Sequence, residues 1–214
     1  MGAAPISTAS LLTALGAVIL LEAAGGAAGQ YTALPRLWLL AFVRLAQTAA
    51  VVALVLGRAG ALAPIGLDRR SLLPGCHKGL VWSAAFAAAA GVVLLLLLGM
   101  DRRPLAMIRS PLPSDALQQA LFFFVGGIVA PVAEEVVFRG LIFGYLRRWG
   151  LAAAVLISTA LFAALHLPAI PVTQVVGGLV FAIAYHRSGS LMTPITIHVL
   201  GNLAIFTLSL PVFA

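Results

Sequence analysis

Long apolar stretches separated by brief polar interruptions run along the whole chain. The first extends from Ile6 to Gly29 and carries Glu22; the second, Leu37 to Gly57, carries Arg44. The third, Gly79 to Met100, holds no charged residue. Before it lies the polar segment Arg58 to Lys78, which reads as a surface loop or interfacial stretch. A second polar segment, Asp101 to Asp115, ends in Asp115-Ala-Leu-Gln118, the pattern of a capping box that opens a helix. The fourth run starts there, stays apolar to Ala133, meets Glu134, Glu135 and Arg139, and continues amphipathically to Trp149, where Gly150 stops it. Leu151 to Leu165 makes a fifth run, followed at once by His166 and the turn Leu167 to Pro171. Val172 to Tyr185 makes a sixth. The turn His186 to Ser190 leads into a seventh, which reaches Val212 and contains Pro194, His198 and Asn202.

These runs are too long and continuous for strands. A helix satisfies its own backbone groups in lipid. At about 20 residues per span, the pattern predicts an all-α fold, a polytopic transmembrane helical bundle of about seven membrane helices within a range of six to eight. The first run lacks a positively charged leader and reads as a span, not a cleaved signal peptide. No internal repeat, low-complexity linker or second domain is visible, so residues 1–214 form a single integral membrane domain.

Composition narrows the picture. Apolar residues make up 62% of the chain before its 21 glycines are counted, and charged residues 9%, where about 25% is usual in soluble domains. So few charges cannot cover a soluble surface, which excludes a cytosolic or secreted globular domain. The net charge of +7 does not point to nucleic acid, because the basic residues stand singly or in pairs at the ends of apolar runs, as membrane anchors do. Counted by side, Arg58, Arg69, Arg70, Lys78, Arg147, Arg148 and Arg187 face Arg36, Arg102, Arg103 and Arg109, which favours a cytoplasmic N-terminus. Cys76 is the only cysteine, so there is no disulfide framework and no thiolate metal site.

Ionisable groups inside a membrane are expensive, and each is a functional hypothesis. They gather in the last hundred residues. Glu135 and Arg139 are four apart and share a helix face, where they can pair. Glu134 is rotated by about 100° from Glu135, so Arg139 can hold one carboxylate and leave the other free to face a cavity. His166 follows Phe162 at helical spacing, and His198 and Asn202 share another face. With Gly150 as a hairpin turn, Glu134 and His166 both lie about 24 Å from it, and His198 and Asn202 lie about 14 and 20 Å from Gly189. The four can meet at similar depth.

A carboxylate and a histidine can jointly deprotonate a water, while a second histidine and an amide can donate to a developing oxyanion. Alternatively Glu134, His166 and His198 form a two-histidine, one-carboxylate set able to hold zinc with an open water position. The helical zinc motif HExxH is absent, and spacing alone does not choose between the two.

Glu134-Glu135-x-x-x-Arg139, Phe162-x-x-x-His166 and His198-x-x-x-Asn202 together resemble the CAAX protease and bacteriocin-processing family, also called the Abi family, which includes the type II CAAX prenyl endopeptidases. The family's EExxxR, FxxxH and HxxxN motifs stand in order without departure. Gly177 to Tyr185 and Ser188 to Leu191 look like its stretch before the last motif, and Ile65-Gly66-Leu67 like a weaker upstream signature. The resemblance covers residues 116–205, the protease core, and leaves 1–115 as accessory membrane helices and loops. It implies an intramembrane endopeptidase that hydrolyses a peptide bond in a membrane-associated or lipid-modified peptide. Glu134 with His166 would activate water, His198 and Asn202 would stabilise the oxyanion, and Glu135 and Arg139 would support them. Metal-free hydrolysis is favoured over a zinc metalloprotease, because the third motif ends in an amide, a poor zinc ligand but a good oxyanion donor. The cofactor is therefore none or zinc. The partners expected are a peptide or protein substrate and the lipid bilayer, with no nucleic acid, in a bacterial inner membrane.

Two other functions fit the composition. One is a non-catalytic scaffold, immunity or maturation protein on the same fold; intact Glu134, His166, His198 and Asn202 argue against it. The other is a small transporter or proton relay, which predicts a polar path through several spans including Glu22 and Arg44, whereas the polar groups gather in the C-terminal half. Glu22 and Arg44 sit in adjacent spans and read as a structural pair, as cavity-facing groups or as interfacial ones. Phe162 reads as core packing, and Gly140 to Gly144 as a helix-packing GxxxG.

Overall fold

The computed structural model describes residues 6–100, 102, 108–166 and 172–210. Among them the chain forms seven helices and no strand: α1 (Thr8–Tyr31), α2 (Arg36–Ala59), α3 (Arg69–Gly99), α4 (Ala116–Trp149), α5 (Leu151–Ala164), α6 (Val172–Ser188) and α7 (Met192–Leu208). Four stretches, α1, α2, Ala63–Gly99 and α4, are long and apolar enough to cross a membrane. Large apolar side chains such as Leu20, Phe42, Val81 and Leu95 point outward from the first three helices. A surface of this kind suits lipid, and the molecule is an integral membrane protein. The expected turn at 167–171, most of the polar stretch 101–107 and the end of the seventh run beyond Leu210 lie outside the described residues.

Two features differ from the sequence reading. The stretch Arg58 to Lys78 is not one loop, because α3 begins at Arg69 and includes Pro74. A proline in the second turn removes one backbone donor. The turn is also tied to the chain that leads into α7, since Ser190 Oγ donates to Ser71 O at 2.9 Å and Thr193 Oγ1 to Gly75 O at 3.0 Å. Second, α4 is not a uniform α-helix: Val125–Val129 and Val136–Phe143 are π-helical. Widened turns of this kind often mark functional sites, and Glu134 and Glu135 stand on the α-helical segment Ala130–Glu135 between them. At its start, Asp115 Oδ1 accepts from Gln118 N at 2.9 Å, as the capping pattern predicts.

In lipid the hydrophobic effect does not draw helices together, so close packing and polar contacts must. Helix α3 lies against the start of α7 through Gly75 and Gly79, where added Cβ atoms would come within 2.9 Å of Ser190 Cβ and 2.5 Å of Thr196 Cβ. The Gly140 to Gly144 stretch also packs closely, against Ile65 and Ile6. The Ile65 to Leu67 segment stitches the N-terminal part to the C-terminal core. Ile65 is fully buried and Leu191 N donates to Gly66 O at 2.8 Å. Gly66 has φ +75°, and a side chain there would meet the Tyr185 ring at 2.8 Å. At the same end of the bundle Arg148 reaches Ile6 O, Arg58 Nη2 donates to Thr13 Oγ1 at 3.1 Å, and Thr8 meets Tyr145 at 3.1 Å.

Candidate active site

The two adjacent carboxylates of α4 have different surroundings. Glu135 is fully buried, and its Oε1 accepts from Arg139 Nη1 at 2.9 Å. Arg139, also fully buried, donates through Nη2 to Gly178 O at 3.2 Å. Its guanidinium carbon lies 4.7 Å from the Phe162 ring centre and 5.2 Å from that of Phe181. A buried cation needs a counter-charge, donated hydrogen bonds and polarisable faces, and this one has all three. Gly178 makes the approach possible, since a Cβ there would lie 2.9 Å from Thr159 Cγ2 and 3.4 Å from Arg139 Nη2. Glu134, rotated away, keeps 19% of its side chain exposed and lines a cavity.

His198 sits between the two carboxylates. Its Nδ1 lies 2.8 Å from Glu135 Oε1 and its Nε2 3.7 Å from Glu134 Oε2. The ring stacks on Phe181 at 4.6 Å and meets the edge of Phe162 at 5.7 Å. An ionised carboxylate only accepts, so Nδ1 donates its hydrogen to Glu135. His166, just past the end of α5, has its Nδ1 2.8 Å from Phe162 O. A carbonyl likewise only accepts, so Nδ1–H donates; in the tautomer protonated at Nδ1 alone, Nε2 is the acceptor nitrogen. Phe162 is buried as expected, and it touches both histidines as well as Arg139.

Asn202 lies one turn beyond His198, and its Nδ2 donates to Gly126 O at 2.9 Å, inside the first π-helical stretch. One amide hydrogen is used there; an asparagine amide carries two.

The cavity has a volume of about 550 Å³. Glu134 and His166 line it, with Val137 and Phe138. Glu22, Arg44 and Gln47 of α1 and α2 line it as well. Arg44 Nη1 lies 2.6 Å from Glu22 Oε2, so the two residues both pair and face the cavity. The expected separation of polar groups into the C-terminal half is therefore corrected: two N-terminal helices bring charge to the same cavity. Gln47, which sequence reasoning passed over, is 2% exposed and joins the pair. A lone glutamine among apolar residues carries no local signal of a contact made 25 residues away.

Residues 116–204 match the family model described as Type II CAAX prenyl endopeptidase Rce1-like. Over those residues the chain is similar to the type II CAAX prenyl endopeptidases. No curated protein matches it, and neither does any solved structure. The matched stretch runs from the start of α4 into α7 and contains every residue of the three motifs. The chain thus combines membrane helices with a stretch similar to that family of peptidases.

Among the described residues no three His, Cys, Asp or Glu side chains converge as a metal-holding group. Glu134, His166 and His198 as they stand do not form a zinc ligand set, and no step below passes through a metal. What these residues do assemble is a carboxylate and a histidine that line one cavity, and a second histidine held by Glu135.

Proposed function

We propose that the protein is an intramembrane endopeptidase in which Glu134 activates the attacking water. The observation that carries this reading is the shared cavity of Glu134 and His166, with His198 Nε2 3.7 Å from Glu134 Oε2. Glu134 takes one proton from the water, and His166 Nε2 accepts a hydrogen bond from the other hydrogen and so aims the oxygen. The hydroxide formed adds to the carbonyl carbon of the scissile amide. His198 and Asn202 donate to the resulting oxyanion. In that role the His198 ring carries a proton on each nitrogen, one given to Glu135 and one to the oxyanion. Collapse breaks the C–N bond, and the proton held by Glu134 passes to the leaving amine. Glu135 and Arg139 hold His198 in place and touch no substrate.

The substrate is a membrane-associated or lipid-modified peptide, because the cavity lies among membrane helices. The test uses purified wild type and Glu134→Ala with membrane-anchored and prenylated peptides, with and without chelator. Cleavage by wild type that is lost in Glu134→Ala and unaffected by chelator is the expected result. Cleavage that persists in Glu134→Ala overturns the role of Glu134. Cleavage abolished by chelator and restored by zinc replaces this mechanism with a metal-dependent one, and no cleavage of any peptide favours a non-catalytic scaffold.

A further inference from the structure

Two donors from α2 converge on a single carboxylate oxygen at the cavity wall. Arg44 Nη1 reaches Glu22 Oε2 at 2.6 Å and Gln47 Nε2 reaches the same atom at 2.9 Å. Gln47 is nearly fully buried and fixed on both sides, its Oε1 accepting from Arg44 at 2.7 Å and its Nε2 also donating to Val18 O at 3.1 Å. The donor pair is therefore pre-oriented. Its occupant is held less firmly. The Glu22 side chain is 56% exposed against 22% for Arg44, and it comes from another helix. Arg44 also keeps a buried Nε that meets no acceptor among the described residues. A charged and a neutral N–H aimed at one point favour an anionic oxygen, and charge-assisted bonds of this kind are about twice as strong as neutral ones.

We propose that Arg44 and Gln47 form a carboxylate cradle on the cavity wall, filled by Glu22 in the resting protein and by a carboxylate of the peptide when substrate binds. This rests on the peptidase reading, since the same cavity is lined by Glu134 and His166. The exchange swaps one carboxylate for another, so the desolvation of Arg44 is met in both states. The displaced Glu22 carboxylate stays among the groups that line the cavity. An internal occupant lowers the apparent affinity for an incoming carboxylate by the fraction of time the cradle is open. Removing that occupant must therefore tighten binding of an acid while leaving neutral peptides unchanged. A structural clamp between α1 and α2 predicts no such gain.

The experiment measures binding to full-length Glu134→Gln protein, which holds peptide without cutting it. Three dansylated apolar tetrapeptides serve as probes: one with a free C-terminal carboxylate, one amidated, and one amidated with a single glutamate. At least one acid binds roughly tenfold more tightly than the neutral amide. Preference for the first peptide assigns the cradle to a chain terminus, and preference for the third to an acidic side chain. Adding Glu22→Gln tightens the preferred acid several-fold and leaves the neutral amide unchanged. Adding Arg44→Lys removes most of the preference, because an ammonium lacks the fork of a guanidinium. Equal binding of all three peptides overturns the cradle, and so does a Glu22→Gln variant that binds the acid no better. Wild-type cleavage without any carboxylate preference sinks the cradle alone; a carboxylate preference in a protein that cleaves nothing sinks the peptidase reading alone.

Discussion

His198 Nδ1 and Arg139 Nη1 share one oxygen of Glu135, at 2.8 and 2.9 Å. The fully buried carboxylate thus neutralises a buried cation and fixes the ring that faces Glu134. Removing its charge does two things. It leaves Arg139 without a counter-ion, at a cost of about 3–5 kcal/mol for breaking a buried pair, and it loosens His198. Glu135→Gln is expected to lower the unfolding midpoint in detergent markedly and to lower activity. Thermal unfolding followed by tryptophan fluorescence checks the first effect. A variant as stable as wild type would show that the pair contributes little.

The neighbouring carboxylate behaves oppositely. Glu134 lines the cavity and makes no hydrogen bond to another described residue, apart from its 3.7 Å approach to His198. Glu134→Gln keeps the shape and removes the base. Activity falls by about 10²–10⁴, the usual contribution of a positioned general base, while the unfolding midpoint stays near that of wild type. The side-by-side comparison of Glu134→Gln and Glu135→Gln, activity against stability, separates the two roles. A large stability loss in Glu134→Gln would place it in the structural class.

The placement of the two carboxylates, one paired with Arg139 and one at the cavity, was legible in the sequence, because a 100° rotation between neighbours and a four-residue spacing to Arg139 are properties of any helix. So were the seven helices, the cap at Asp115 and the breaks at Gly150 and Gly189. The His198–Glu135 bond was not, since it joins residues 63 apart and helical spacing says nothing about which side of α7 meets α4. The π-helical stretches were hidden for a similar reason: tertiary packing, not residue type, widens a turn. Glu22 and Arg44 showed only that two charges lay in adjacent spans. That they line one cavity with Glu134 follows from how α1 and α2 dock.

His166 is held by a backbone atom, so its role divides by nitrogen. Nδ1–H donates to Phe162 O at 2.8 Å, leaving Nε2 to meet water. In His166→Asn the amide nitrogen can reach the Phe162 carbonyl but nothing replaces Nε2. In His166→Gln the longer side chain carries an amide oxygen near the Nε2 position. Both lose activity, by about 10²-fold or more for Asn, with Gln retaining the larger residue. Equal activity of the Asn variant and wild type, measured as kcat/KM on a cleaved peptide, would remove His166 from the mechanism.

The seam between α3 and α7 offers a test of packing that is independent of catalysis. An added Cβ at Gly79 would lie 2.5 Å from Thr196 Cβ and 2.9 Å from Thr193 O. The second of these is backbone, which yields poorly. Gly79→Ala is expected to push α3 off α7 and to cost about 1–3 kcal/mol, as overpacking does. On the same helix, Gly91 has nothing within 4 Å of an added Cβ. Gly91→Ala should be neutral, or stabilising by about 0.4–1 kcal/mol through the unfolded chain. The seam reaches the site because α7 carries His198 and Asn202, so Gly79→Ala should also lower kcat through displaced donors. Unfolding midpoints and initial rates of the two variants decide the matter: a Gly79→Ala protein as stable and as active as Gly91→Ala would mean that this contact does not set the position of α7.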